Sequence, residues 1–151
     1  MLRSLVGSEM CIRDSPYALG TESKPITMAN DSARETGYFG TGQNFVNEDG
    51  GKADVEFTAQ MRRGSELFGK LGRIDFIKCD IEGYELVVMT EMRPLLERHR
   101  PTVLIETGGT NRPQITALFR EMGYTGYTLR RGQEVPLTEE STKDIIFRYA
   151  H

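Results

Sequence analysis

The run IDFIKCDIEGYE, Ile74 to Glu85, passes from an almost unbroken apolar segment into a turn with three acids in six residues, Asp80, Glu82 and Glu85. Ile74 to Asp80 has the composition of a strand covered on both faces, as in a parallel sheet, and is the expected central strand. Alternation puts Phe76, Lys78 and Asp80 on one strand face and Ile77 and Cys79 on the other, so Lys78 and Asp80 are expected to form a buried or half-buried pair. From Glu82 to Arg98, Leu86, Val88, Met89, Met92, Leu95 and Leu96 recur at helical spacing and form a stripe that faces the sheet. Pro94 is accommodated if a second short helix begins there with Thr90 as its N-cap, because a proline in a first turn gives up no intrahelical hydrogen bond.

Beyond Pro101, Thr102 to Glu106 (TVLIE) reads as a second short buried strand. Gly108-Gly109 then turn the chain into a helix from about Arg112 to Met122, closed by Gly123 at the C-cap position. Tyr124 to Arg131 and Asp144 to Tyr149 read as strands joined by a polar connection through Pro136, too short for a crossover helix. The order strand, helix, strand, helix, strand, strand predicts an α/β fold. Its sheet is expected to be mostly parallel, with helices on its faces and one antiparallel strand near the edge.

Upstream, Pro16 to Met28 reads as two short strands about a turn at Gly20. Ala29 to Asp54, with Gly37, Gly40, Gly42, Gly50 and Gly51 among Asn and Asp, reads as a long loop or flexible insert. Val55 to Met61 alternates as an edge strand, and Arg63 to Lys70 suits one or two helical turns.

The 151 residues, 38% of them hydrophobic, suffice for one domain with a modest core. Nineteen basic residues stand against 22 acidic ones, with no Lys/Arg block and no basic stripe. That argues against nucleic acid and leaves a small molecule as the expected ligand. No apolar run approaches the roughly 20 residues of a membrane-spanning helix. Cys11 and Cys79 lack partners at metal-ligand or redox spacing, which points to a reducing, cytoplasmic compartment.

In an open α/β sheet, ligands gather beyond the carboxyl ends of the strands, so strand-end side chains are the site candidates. Asp80 and Glu82 end the first strand, and Glu106 ends the second, where it can pair Lys78 or face the same cleft as Asp80. Glu85 reads as part of a solvated turn capping the next helix. The Gly108-Gly109 loop lacks a Walker-type lysine and GxGxxG spacing, so it reads as an ordinary connection. Cys79 reads as a packed small hydrophobe, and His99 and His151 as surface residues.

Ile74 to Glu85, followed by a helix, Arg100-Pro101 and Thr102-Val103-Leu104-Ile105-Glu106, resembles the C-terminal block of FkbM-type methyltransferases. The likeness is specific over residues 73 to 106 and looser on either side. It implies a partial Rossmann-like class I methyltransferase sheet whose N-terminal strands, with the glycine-rich cofactor loop, are missing from this chain. It also implies S-adenosylmethionine as cofactor, and a hydroxyl of a small-molecule or glycan-type acceptor as substrate. Asp80 or Glu82 would then be the base or hydroxyl-orienting group, with Glu106 in support, and this piece alone would be inactive. No metal is expected. The alternatives are Mg²⁺ held by Asp80 and Glu106, a nucleotide-binding α/β module, or an inactive fragment. Leu5 to Ser15, LVGSEMCIRDS, resembles the conceptual translation of a sequencing-library adapter, so residues 1–15 are expected to be non-native and residues 16–151 to form the methyltransferase part.

Overall fold

The computed structural model describes residues 15–31, 44–47, 50–107, 111–138 and 143–150. The adapter-like stretch up to residue 14, the Gly108-Gly109 loop, and residues 32–43 and 48–49 of the glycine-rich segment lie outside the described residues. The strands are β1 (Tyr17–Gly20), β2 (Lys24–Asn30), β3 (Phe45–Val46), β4 (Val55–Arg63), β5 (Phe76–Cys79), β6 (Thr102–Glu106), β7 (Tyr124–Arg130), β8 (Gln133–Pro136) and β9 (Asp144–Tyr149). The helices are α1 (Gly64–Phe68), α2 (Glu85–Glu91), α3 (Arg93–His99) and α4 (Asn111–Glu121). None of the described helices is long and apolar enough to cross a membrane.

Two mixed sheets replace the expected mostly parallel, Rossmann-like one. The first has the order β1-β4-β2-β3 and the second β5-β6-β9-β7-β8. Only β1 with β4 and β5 with β6 pair in parallel among the described strands. The remaining pairings, β2 with β3 and β4, and β9 and β8 with their neighbours, are antiparallel. The physical reason is connection length. Parallel neighbours need a crossover, and α2 with α3 supplies one between β5 and β6, whereas Arg131-Gly132 joins β7 to β8 in a tight turn. Arg131 (φ 50°) and Gly132 (φ 78°) both adopt the left-handed conformation that matches a two-residue hairpin turn to strand twist.

The antiparallel strand expected near the edge, β9, lies inside the second sheet, between β6 and β7. β5, expected at the centre, has β6 as its one partner among the described strands, at the end of the sheet. One face of this sheet is open: Phe76 is 56% exposed and Leu129 53% exposed. The other face carries Val103, Ile105, Ile145 and Phe147, all at most 1% exposed, packed on the stripe Val88, Met89, Met92, Leu95 and Leu96 and on Ile115 and Phe119. Among the described residues helices therefore cover one face only, and the alternation of β6 and β9 between buried and more accessible residues is that of a sheet wet on one side. Each fully buried aliphatic or aromatic side chain contributes roughly 1.5–3 kcal/mol.

Two local expectations change. β4 is inside the first sheet between β1 and β2, because the polar side chains Glu56, Thr58 and Gln60 mark an exposed face and not an unpaired backbone edge. The helical segment after Gly83 breaks at Met92, not at Thr90. Met92 precedes α3 and places Pro94 in its first turn, while Thr90 Oγ1 donates back to Leu86 O at 2.7 Å. Arg100 (φ 51°) ends α3, and Gly123 (φ 87°) ends α4 in the left-handed conformation expected there.

Candidate active site

The parallel register of β5 and β6 pairs Lys78 with Leu104 and Cys79 with Ile105, which brings Asp80 level with Glu106 at the carboxyl ends of both strands. Glu106 pairs in turn with Asp144 at the start of β9. Buried Thr107 locks this corner, donating to Lys143 O from both its backbone N–H and its hydroxyl, each at 2.9 Å. The three strand ends thus bring Asp80, Glu106 and Asp144 into one row.

Lys78 Nζ donates to Asp80 Oδ2 at 2.9 Å. The pair is more open to water than expected, with side chains 62% and 37% exposed, because the open sheet face carries it. That hydrogen bond holds the Asp80 carboxyl below the ordinary carboxylate range, outweighing partial burial, and a hydrogen bond with Glu106 acts in the same direction. The Glu106 carboxyl is pushed above its ordinary value, first by the charge of Asp80 and then by burial and Asp144. Lys78 is raised by Asp80 above all. The two neighbouring strand-end carboxyls are thus shifted in opposite directions, Asp80 down and Glu106 up, with a lysine on the lowered one.

The turn after Asp80 is tightly fixed. Tyr84 N–H reaches back to Ile81 O, and both central residues are left-handed, Glu82 at φ 50° and Gly83 at φ 96°. Glu85 is 2% exposed and not part of a solvated turn; its Oε1 accepts from Ile81 N–H at 3.3 Å and Gly83 N–H at 2.9 Å. Its Oε2 is buried without a hydrogen-bond partner among the described residues. From the other side, Asn111 Nδ2 donates to Gly83 O at 2.8 Å, joining the start of α4 to the turn. The sequence signal for Glu85 was its place in the apolar stripe, one residue before Leu86. Asn111 carried no such signal, since nothing local marks a contact 28 residues away.

Asp80, Ile81, Glu82 and Tyr84 line a cleft of about 460 Å³ whose opposite wall is formed by Tyr17, Leu19, Met28, Asn44 and Phe45 of the first sheet. Asp80 and Glu82 therefore both face a concavity, and Glu82 is exposed at its rim. Cys79 lies in the core, its thiol pushed up to about 12 chiefly by burial, so it is a poor nucleophile at neutral pH.

The family model of the methyltransferase FkbM domain matches residues 11–125, more than half of the chain. The chain belongs to the FkbM methyltransferase family. The match takes in β1 to β6 and α1 to α4 and ends inside β7, so the whole acid-bearing corner except Asp144 falls within the FkbM domain. No curated protein and no solved structure matches the chain.

The left-handed backbone at Glu82 is a strained choice for a residue with a Cβ, on the order of 1 kcal/mol. Glu82→Gly is expected to raise stability by a few tenths to about 1 kcal/mol, the gain being trimmed by the extra freedom of glycine in the unfolded chain. Urea unfolding midpoints of the two proteins test this; a clear loss of stability in the variant would show that the Glu82 side chain holds the turn together.

Proposed function

We propose that the domain catalyses S-adenosylmethionine-dependent methylation of a hydroxyl on a small-molecule or glycan-type acceptor. The observation that carries the reading is the Asp80 carboxylate, which lines the cleft, is paired with Lys78 and stands level with Glu106 on the neighbouring parallel strand. Methylating an oxygen requires that its proton be taken up at the moment of reaction, and a carboxylate facing the cleft can orient the hydroxyl and accept that proton. Asp80 is the hydroxyl-orienting group in this reading. Glu106 stands in support, and Lys78 holds Asp80 in its ionised form.

The residues of the cleft fit the cofactor in charge and surface. Glu82 offers a carboxylate to the cofactor's ammonium group, and Tyr17, Leu19 and Tyr84 offer apolar and aromatic surface to an adenine. When bound, S-adenosylmethionine supplies an electrophilic methyl group. The protein's part is to hold the acceptor oxygen in line and to keep water from it.

A metal-assisted variant finds less support. Among the described residues no three His, Cys, Asp or Glu side chains converge to hold an ion, and Asp80 Oδ2 is already taken by the Lys78 ammonium. The test is transfer of labelled methyl from S-adenosylmethionine to hydroxylated glycosides and their amine counterparts, using the protein encoded at its native locus. Label is expected on oxygen. Label confined to nitrogen would overturn the O-methylation reading.

A further inference from the structure

We propose that the groove between α4 and the β7–β8 hairpin binds an anionic group, phosphate or carboxylate, carried on a small, partly apolar molecule. The groove shares no lining residue with the acidic cleft, so the inference does not rest on the methyl-transfer reading. Two hollows of about 610 and 300 Å³ share Thr116, Arg120 and Leu137 and so run into each other. Their combined size is that of a small-molecule site.

One end of the groove is cationic. Arg112, Thr116 and Arg120 recur every four residues and so lie along one side of α4. Arg112 Nη2 donates to Thr138 O at 2.9 Å, which holds that guanidinium against the groove wall. Arg120 is exposed, and its guanidinium makes no ion pair or hydrogen bond among the described residues. Arg112 is also the second residue of α4, whose first turn contains no acid. Beyond Arg120 the wall mixes Pro136 and Leu137 with Thr116 and Thr125.

Planar guanidinium forks match carboxylate and phosphate oxygens in pairs, and Thr116 adds a hydroxyl donor between them. Leu137, shared by both hollows beside Arg120, sets apolar surface next to the cation, which suits a ligand with an anionic and an apolar part.

The test is calorimetric titration of the full chain with phenyl phosphate and with benzoate, against inorganic phosphate and benzyl alcohol. Phenyl phosphate or benzoate is expected to bind more tightly than either half-ligand, and which of the two is tighter tells phosphate from carboxylate. Binding should weaken with added salt, and Arg120→Gln should weaken it roughly tenfold with an unchanged circular dichroism spectrum. Arg112→Gln should act in the same direction. Equal affinity for benzyl alcohol, equal affinity of the Arg120→Gln protein, or no binding of any probe would each overturn the proposal.

Discussion

Asp80→Asn is expected to lower methyl transfer by about 10²–10⁴-fold, the usual range for loss of a positioned acid–base group. The substitution keeps the size of the side chain and its place beside Glu106, but it removes the charge that Lys78 stabilises. Asn cannot take up a proton. Stability should change little, because Lys78 and Asp80 are largely solvated and pairs of that kind contribute little to folding. A loss of turnover with an unchanged unfolding midpoint separates chemistry from folding.

The pH dependence gives a second readout of the same substitution. In the parent, the Asp80 carboxyl is held low, so the activity it supports is present at neutral pH and fades only as pH falls through that depressed titration. Its stability contribution has the same sign: present above the unfolded value and lost as pH falls through the folded one. Glu106 behaves oppositely. With its carboxyl raised, it favours the folded state at low pH, and that contribution is lost as pH rises through the raised value. Asp80→Asn should remove the charge that raises Glu106 first of all, bringing the Glu106 titration back toward an ordinary glutamate, as carbon-detected NMR would report. Full turnover in the Asp80→Asn protein would remove Asp80 from the site.

Much of the acidic corner was legible in the sequence because strand alternation and strand-end position are local properties. Phe76 and Lys78 do share the open face of β5, Cys79 does lie in the core, and Glu106 does come level with Asp80. The sheet topology was not legible, because pairing partners are chosen over long distances. The apolar run Ile74 to Asp80 gave no sign that β5 has one strand neighbour and one wet face. Three strands that read as disconnected pieces between Pro16 and Met61, joined by β3 from the segment read as a loop, assemble into their own sheet through β4, which pairs with β1 in parallel and with β2 antiparallel. The β8 hairpin did leave a signal, Arg131-Gly132 between two β-rich runs, but the charges around it read as a polar connection. Glu85 was misread for a related reason. A carboxylate beside a turn is usually solvated, and only the fold reveals that it is buried to hold two backbone N–H groups.

Phe119→Ala is expected to be the most destabilising single truncation in the core, at about 3–5 kcal/mol, enough to unfold much of a small domain under ordinary conditions. Phe119 is fully buried on α4. Its ring stacks on Phe147 of β9 with centroids 4.1 Å apart and planes 7° from parallel, and it meets Tyr124 of β7 edge-on at 5.3 Å. It is thus the contact through which one helix is fastened to two neighbouring strands. The same strands carry Asp144, next to Glu106, and α4 carries Asn111, which holds the Gly83 turn. Loosening α4 should therefore also speed amide exchange at Gly83 and Thr107, far from the substituted ring in sequence. Hydrogen exchange and urea unfolding measure both effects, and a cost below about 1 kcal/mol, the level of a surface substitution, would mean that the helical layer is not what holds this sheet.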